Sequence, residues 1–336
     1  MSMEIIKPGL LSTIQDTGRR GYQKYGIIKS GGMDQFALKS ANLLVGNDIH
    51  EAAIEITLAG PIIHFDSPAL ISICGGDFCP TIDGVNVPLW RPLFVKKSSI
   101  LKFGTAKSEI RSYLAIAGGF DVPQVLNSKS TYLRANIGGY KGRALQAGDV
   151  LYERPTPFNK SPLLETYTNN KETFVPITKT IANHVKPVYK SRHIRVLKGA
   201  EHDWFTDQSN ETFFSHPFKI LPQSDRMGYR LAGPPLELKE EKELISGAVS
   251  FGTIQVPSNG QPIILMADHQ TTGGYPKIAH IISVDLPIIA QLNSNTEIQF
   301  KEVSLEEAHS LYIRREKDLQ LIKYGMREEF RRLGGR

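Results

Sequence analysis

Cysteine is almost missing from this 336-residue chain; Cys74 and Cys79 are its only two. Two thiols cannot build a disulfide framework, so the composition suits a thiol-reducing compartment. Their C-x4-C spacing has no second cysteine pair and no histidine pair at ligand spacing, so no zinc site is expected and the metal expectation is none. Long apolar runs are missing too: no window approaches the ~20 residues of a membrane-spanning helix. The N-terminus, "MSMEIIKPGLLSTIQDTG", lacks a basic start followed by an apolar core, so no secretory signal is read there. The expected location is cytoplasmic, with no membrane partner. A basic stripe interleaved with aromatics is absent. The net charge of +6 arises largely in "RREKDLQLIKYGMREEFRRLGGR", where acids alternate with bases, so no nucleic-acid partner is expected. Several catalytic signatures are absent as well: G-x-S-x-G, H-E-x-x-H and a helix-opening G-x-G-x-x-G.

What is present is a folded, strand-rich chain. A hydrophobic fraction of 40% with 22% charged residues fits a globular protein. The apolar segments are short and β-branched: "ALISICGG", "SYLAIAGG", "HIRVLKG", "QPIILMAD" and "TEIQFKE", bounded by Gly, Pro, Asn or Asp. That pattern predicts many strands joined by tight turns. Helices are few. Residues 34–45 read as one, capped by Asp34 and stopped by Gly46–Asn47. A second is expected over 305–322, where Ser304 and Glu307 form a capping box. The fold class is therefore mainly β, as barrels or sandwiches rather than a βαβ sheet.

The stretch 153–192 changes texture, with five prolines, no glycine and many polar residues. It reads as an extended linker or excursion between a first domain, 1–152, and a second, 193–336. The two sides echo each other. "QDTGRRGYQ" (15–23) is matched by "QSDRMGYR" (223–230), and "SSILKFGTAKSEIRSYLAI" by "NTEIQFKEVSLEEAHSLYI". Between these pairs, "GPIIHF…SICGGDF" and "GQPIILMADHQTTGGYP" each run from an apolar strand into acid and glycine. Order and spacing agree, which predicts two small β-barrel-like domains related by internal duplication.

Chemistry concentrates in "ADHQTTGGYP", residues 267–276. Asp268 and Gln270 would offer acceptors and a donor, and Thr271 and Thr272 hydroxyls. Gly273–Gly274 would let backbone N–H groups approach a ligand closely. The plain alternative is a strand-to-strand corner in which these side chains cap their own amides. Gln15, Asp16, Arg19, Arg20 and Tyr22 form a comparable polar cluster before a glycine-rich helix entry. Gly31–Gly32 ahead of that helix could admit an anion, but Asp34 would occupy the place, which favours simple capping. "RANIGGYKGRALQAGD" (134–149) sets Gly138–Gly139 beside Lys141 and Arg143; it is either an anion clamp or a hairpin with solvated bases, and it is not a P-loop. None of these is a self-sufficient catalytic motif, so a partner is expected to complete an active site.

The same stretches carry a family resemblance. "GLLSTIQDTGRRGYQKYGIIKSGGMDQFALKSANLLVGN", "SYLAIAGGFDVP", "STYLRANIGGYKGRALQAGD", "QSDRMGYRLAGP" and "SFGTIQVPSNGQPIILMADHQTTGGYPKIA" resemble, in order, the 5-oxoprolinase C-subunit family (PxpC), also called KipA or allophanate hydrolase subunit 2. That family is similar in turn to half of the carboxyltransferase domain of biotin-dependent urea carboxylase. The match runs from about residue 4 to 300. The family pattern leads one to expect Arg where this chain has His269. The resemblance implies two cyclophilin-like β-barrel domains. It implies a direct complex with the KipI-like protein PxpB, and joint work with PxpA, a protein of the LamB/YcsF type. It implies the ATP-dependent opening of 5-oxo-L-proline to L-glutamate, with ATP bound at the level of the complex.

Carried over by motif, Asp268, Gln270 and Arg226 are the expected catalytic residues. Thr271, Gly273, Gly274, Tyr275, Gln255, Gln15, Asp16 and Arg19 are the expected substrate-binding residues. A lactam carbonyl is a poor electrophile, and phosphorylating its oxygen would activate it toward water. Two other roles fit the same resemblance. One is a KipA-like regulator that binds a KipI-type inhibitor of a sensor histidine kinase. The other is a biotin-dependent carboxyltransferase half; the Met-Lys-Met biotin attachment site is absent from this chain.

Overall fold

The computed structural model describes residues 2–155, 172–240 and 242–333. It divides into two compact units: Met1–Gly18, Asp34–Lys186 and Glu316–Arg336 form the first, and Arg19–Met33 with Pro187–Arg315 the second. These bounds differ from a three-part cut of the sequence. Residues 19–33 belong with the later half, and the end of the chain with the earlier one. Residues 156–171 of the proline-rich stretch lie outside the described residues. The part of it that follows is not a free linker, because Phe174–Pro176 pairs antiparallel with Pro92–Val95, and Ile177 and Ile181 are buried.

The first unit is built from two six-stranded sheets. One runs in the order Val150–Tyr152, Ser2–Lys7, Ile62–Phe65, Ile100–Lys102, Thr81–Ile82, Val85–Asn86. The other runs Phe174–Pro176, Pro92–Val95, Ala69–Gly75, Arg111–Ile116, Ala53–Thr57, Leu11–Gln15. Ala69–Gly75 and Arg111–Ile116 are buried throughout, which is why "ALISICG" and "RSYLAI" read as continuous rather than alternating runs. Ile14, Ile54, Ile73, Leu93 and Leu114 of the second sheet share one core with Ile5, Phe65 and Leu101 of the first. The expected helix spans Gln35–Leu44; the Asp34 carboxylate accepts from the Ala37 amide at 2.9 Å, satisfying an N-terminal donor.

The second unit closes a barrel in the order His193–Lys198, Lys277–Ile281, Thr253–Gln255, Ile263–Leu265, Gly228–Ala232, Phe218–Ile220, Glu297–Glu302, and back to the first. Closure removes both free edges. The closing pair, His193–Lys198 with Glu297–Glu302, is parallel and the rest are antiparallel. Ile194, Val196, Ile254, Ile264, Ala279, Ile281, Ile298 and Phe300 fill the interior. Helix Asp207–Ser215, capped by the Thr206 hydroxyl, stacks Phe213 on Phe300 at 4.5 Å between ring centroids.

The mainly-β expectation holds. One of the sequence echoes divides, however. Ile100–Lys102 and Glu297–Glu302 are both strands, but Arg111–Ile116 is a strand while the matching segment opens helix Leu305–Arg332. Local chemistry explains the difference: the Glu307 amide donates to Ser304 Oγ at 3.1 Å, and Glu306 and Glu307 lie in the first turn.

Candidate functional site

The first-half cluster is a clasp. Asp16 follows strand Leu11–Gln15 and is buried. Its carboxylate accepts from the Gly18 amide at 2.8 Å, the Lys129 amide at 2.6 Å, Ser128 Oγ at 2.7 Å and Ser130 Oγ. A carboxylate offers about four acceptor sites, and here four donors take them. Gln15 donates Nε2 to Thr13 Oγ1 and to the Thr131 carbonyl, both at 3.1 Å, while its Oε1 is sealed inside with no partner. Arg19, read from sequence as their neighbour in one site, falls in the second unit, where its amide donates to the Lys29 carbonyl. In the 134–149 loop Arg143 forms a bidentate pair with Asp149 at 2.6 and 2.7 Å, and Lys141 lies over the Tyr140 ring. The loop is a run of turns rather than a hairpin, and these two bases are engaged locally rather than solvated.

The second-unit loop is organised differently. Asp268 follows strand Ile263–Leu265, and its carboxylate meets the Arg226 guanidinium as a fork: Nε to Oδ2 at 2.9 Å and Nη2 to Oδ1 at 3.1 Å. The backbones pair as well, since the Asp268 amide donates to the Arg226 carbonyl at 2.7 Å. Arg226 Nη2 also donates to the Gly31 carbonyl at 2.6 Å. The guanidinium thus ties the 226 turn, the 268 loop and the 19–33 segment into one frame, with both charges buried and compensated.

Beyond Asp268 the loop turns back over the barrel. Thr272–Gly273 pairs with Gly247–Ala248, and the Val249 amide donates to the Thr271 carbonyl at 3.2 Å. Gln255 lies beneath it, donating Nε2 to the Tyr275 carbonyl at 3.1 Å. A Cβ on Gly273 would stand 2.5 Å from that nitrogen, so only glycine lets loop and glutamine lie this close. Gln270, Gly274 and Tyr275 face outward, Tyr275 at 49% exposure, and Thr271 is half-buried. The structure therefore brings Arg226, Gln255, Asp268, Gln270, Thr271, Gly273, Gly274 and Tyr275 together in one unit. Gln15 and Asp16 lie in the other.

Two groups were not singled out from sequence. Thr253 and His280 are register partners across Thr253–Gln255 and Lys277–Ile281, and Thr253 Oγ1 lies 3.2 Å from His280 Nδ1. The signal was the alternation: Ile254, Ala279 and Ile281 point into the core, leaving Thr253, Gln255 and His280 on the opposite face. His269 Nδ1 lies 2.5 Å from the Gln270 carbonyl. Burial pushes the His269 and His280 pKa values below the usual histidine range; Lys29 adds to the effect at His269, and His269 to that at His280. Among the described residues no group of three or more His, Cys, Asp or Glu is arranged to hold a metal, and no helix is long and apolar enough to cross a membrane.

A strand-rich chain with a closed barrel, whose glycine-bearing loop folds back over one wall, has clear relatives. The carboxyltransferase domain family, subdomains A and B, matches residues 25–302, and the chain belongs to that family. It is 39% identical over 310 residues to the C subunit of 5-oxoprolinase from Haemophilus influenzae, covering 92% of this chain and 93% of that one. It is 36% identical over 324 residues to urea amidolyase of Saccharomyces cerevisiae, covering 92% of this chain but 17% of that one. The crystal structure of Kluyveromyces lactis urea carboxylase superposes with a TM-score of 0.86 at 30% identity, covering 97% of this chain and 29% of that one.

Proposed function

We propose that this chain is the C subunit of a cytoplasmic ATP-dependent 5-oxoprolinase that opens 5-oxo-L-proline to L-glutamate. It acts with a KipI-like PxpB and a LamB/YcsF-type PxpA, and is inactive alone. The observation that carries the reading is the 39% identity to a 5-oxoprolinase C subunit over 92% of this chain and 93% of that one. Within the site, Gln270, Tyr275 and the backbone of Thr271–Gly274 orient the lactam. Asp268 and Arg226, committed to each other, with Arg226 also donating to the Gly31 carbonyl, hold that loop in place.

ATP fits none of the basic loops described. Arg143 is bound to Asp149, and Lys141 rests on Tyr140, so the glycine-rich turn between them is no phosphate cradle. No step of this reading runs through ATP on this chain. The test is reconstitution: the three proteins together release glutamate and ADP from 5-oxoproline, and omitting this chain abolishes turnover. Full turnover without it sinks the proposal and favours a regulatory role.

A second reading, half of a biotin-dependent carboxyltransferase, is favoured by the superposition on urea carboxylase. It requires a separate biotin carrier. Carboxyl transfer to urea from carboxylated free biotin, with no turnover of 5-oxoproline, would put it first.

A further inference from the structure

The outward face of the second barrel carries polar atoms that the fold leaves unused. Gln255 is 1% exposed and His269 3%, yet neither Gln255 Oε1 nor His269 Nε2 is hydrogen-bonded within the described residues, and neither is sealed from solvent. The same holds for His280 Nε2. Polar atoms of nearly buried side chains are ordinarily paired. Here three open atoms come from the wall under one loop and from the start of that loop.

Their hydrogen-bonding senses can be assigned. The Gln270 carbonyl only accepts, so His269 carries its proton on Nδ1 and leaves Nε2 as a bare acceptor. Thr253 Oγ1 accepts from the Ser250 amide at 3.2 Å, and of the two groups within reach of its own proton, His280 Nδ1 at 3.2 Å is nearer than Ser250 Oγ at 3.4 Å and is taken as the acceptor. His280 then bears its proton on Nε2 and presents a donor. The charged groups around the pair are Lys29 on the 19–33 segment and the mutually neutralised Asp268 and Arg226. Both rings remain neutral near pH 7, as their lowered pKa values also indicate.

We propose that His269 Nε2 and His280 Nε2–H form a matched acceptor and donor that receives the in-plane edge of a neutral cyclic amide, with Gln255 Oε1 as a second acceptor. A ring-closed amide is held cis, so its N–H and C=O lie on one edge, one needing an acceptor and the other a donor. An Arg at position 269 would supply only donors. This inference rests on the lactam reading above, and its test separates the two.

Imidazole nitrogen NMR on the full chain at pH 7.5 reads the tautomers directly. The expected result is Nδ1–H on His269 and Nε2–H on His280. Titration with 5-oxo-L-proline should move both rings saturably, whereas L-proline, which has no lactam carbonyl, should not. His269→Gln retains a side-chain acceptor and should bind the lactam within a few-fold of the parent chain. His269→Ala and His280→Ala should each weaken it about tenfold, the usual effect of one neutral hydrogen bond. If both rings answer to a cyclic urea but not to 5-oxoproline, the amide-edge pair stands and the 5-oxoprolinase reading falls. Identical tautomers on both rings, a charged ring at pH 7.5, or silence toward every cyclic amide would overturn the pair, whatever the reconstituted complex does.

Discussion

Each half of the molecule has a Thr-Ile-Gln strand end, at 13–15 and 253–255, and each glutamine donates Nε2 to a backbone carbonyl near a Gly-Gly-Tyr turn. In the first unit that glutamine is sealed, with Oε1 closed off, and the next residue, Asp16, is saturated by amides and hydroxyls. In the second unit Oε1 stays open, and the buried aspartate is held by a guanidinium. One strand ending therefore serves as an internal knot in one unit and as the floor of a candidate binding face in the other. The local motif is shared; what covers it differs.

The comparison breaks hardest at the two aspartates. Arg226→Ala should cost about 3–5 kcal/mol in denaturant unfolding, because it strands the buried Asp268 carboxylate. Adding Asp268→Ala should recover much of that loss, and strict additivity of the two would deny the coupling. Asp16→Ala should cost roughly 2–4 kcal/mol by leaving the Gly18 and Lys129 amides without acceptors. It should leave affinity for the lactam unchanged in whatever fraction folds.

A finer contrast lies in the glycines. A Cβ on Gly273 meets only the end of a flexible glutamine, whereas one on Gly139, at φ +56°, meets the Thr131 side chain and backbone. Gly273→Ala should therefore cost about 1 kcal/mol of stability, within the lower range for overpacking, yet weaken lactam binding by displacing Gln255. Gly139→Ala should be the more destabilising and should not touch binding once the protein is folded. Calorimetry for both variants, with isothermal titration of the lactam, checks the pair. The reverse order would dissolve the distinction between floor and knot.

Much of this was legible in the chain. The Asp34 cap, the strand-rich pattern and the 268–276 loop follow from local chemistry: a capping side chain, β-branched alternation, a cluster of turn residues. Long-range consequences were not legible. The motif neighbours Asp16 and Arg19 lie in different units, because unit membership depends on packing rather than adjacency. Asp268 looked like a free acceptor in sequence, and only the fold brings Arg226, 42 residues away, onto both its oxygens. His280 was hidden by its own regularity, as one polar step in an alternating strand whose importance depends on the facing Thr253.

The smallest effect is a difference in acid sensitivity between the units. Burial lowers the His269 and His280 pKa values in the folded chain, from a usual value of 6.5. Below about pH 6.5 the unfolded chain binds protons that the folded chain refuses, so this contribution is complete above that point. It declines as pH falls toward the lowered folded values. In the first unit the Asp149 carboxyl is lowered from 3.8, chiefly by its hydrogen bond from Arg143, so its contribution persists until pH drops below 3.8 toward the folded value. Hydrogen exchange at a series of pH values should therefore show protection weakening first around Thr253–Gln255 and Lys277–Ile281, as the pH falls below 6.5. The turn at 143–149, tied by Arg143 to Asp149, should hold until more acid conditions. His269→Gln combined with His280→Gln should flatten the early loss; if the double variant weakens over the same range as the parent, the two imidazoles are not its source.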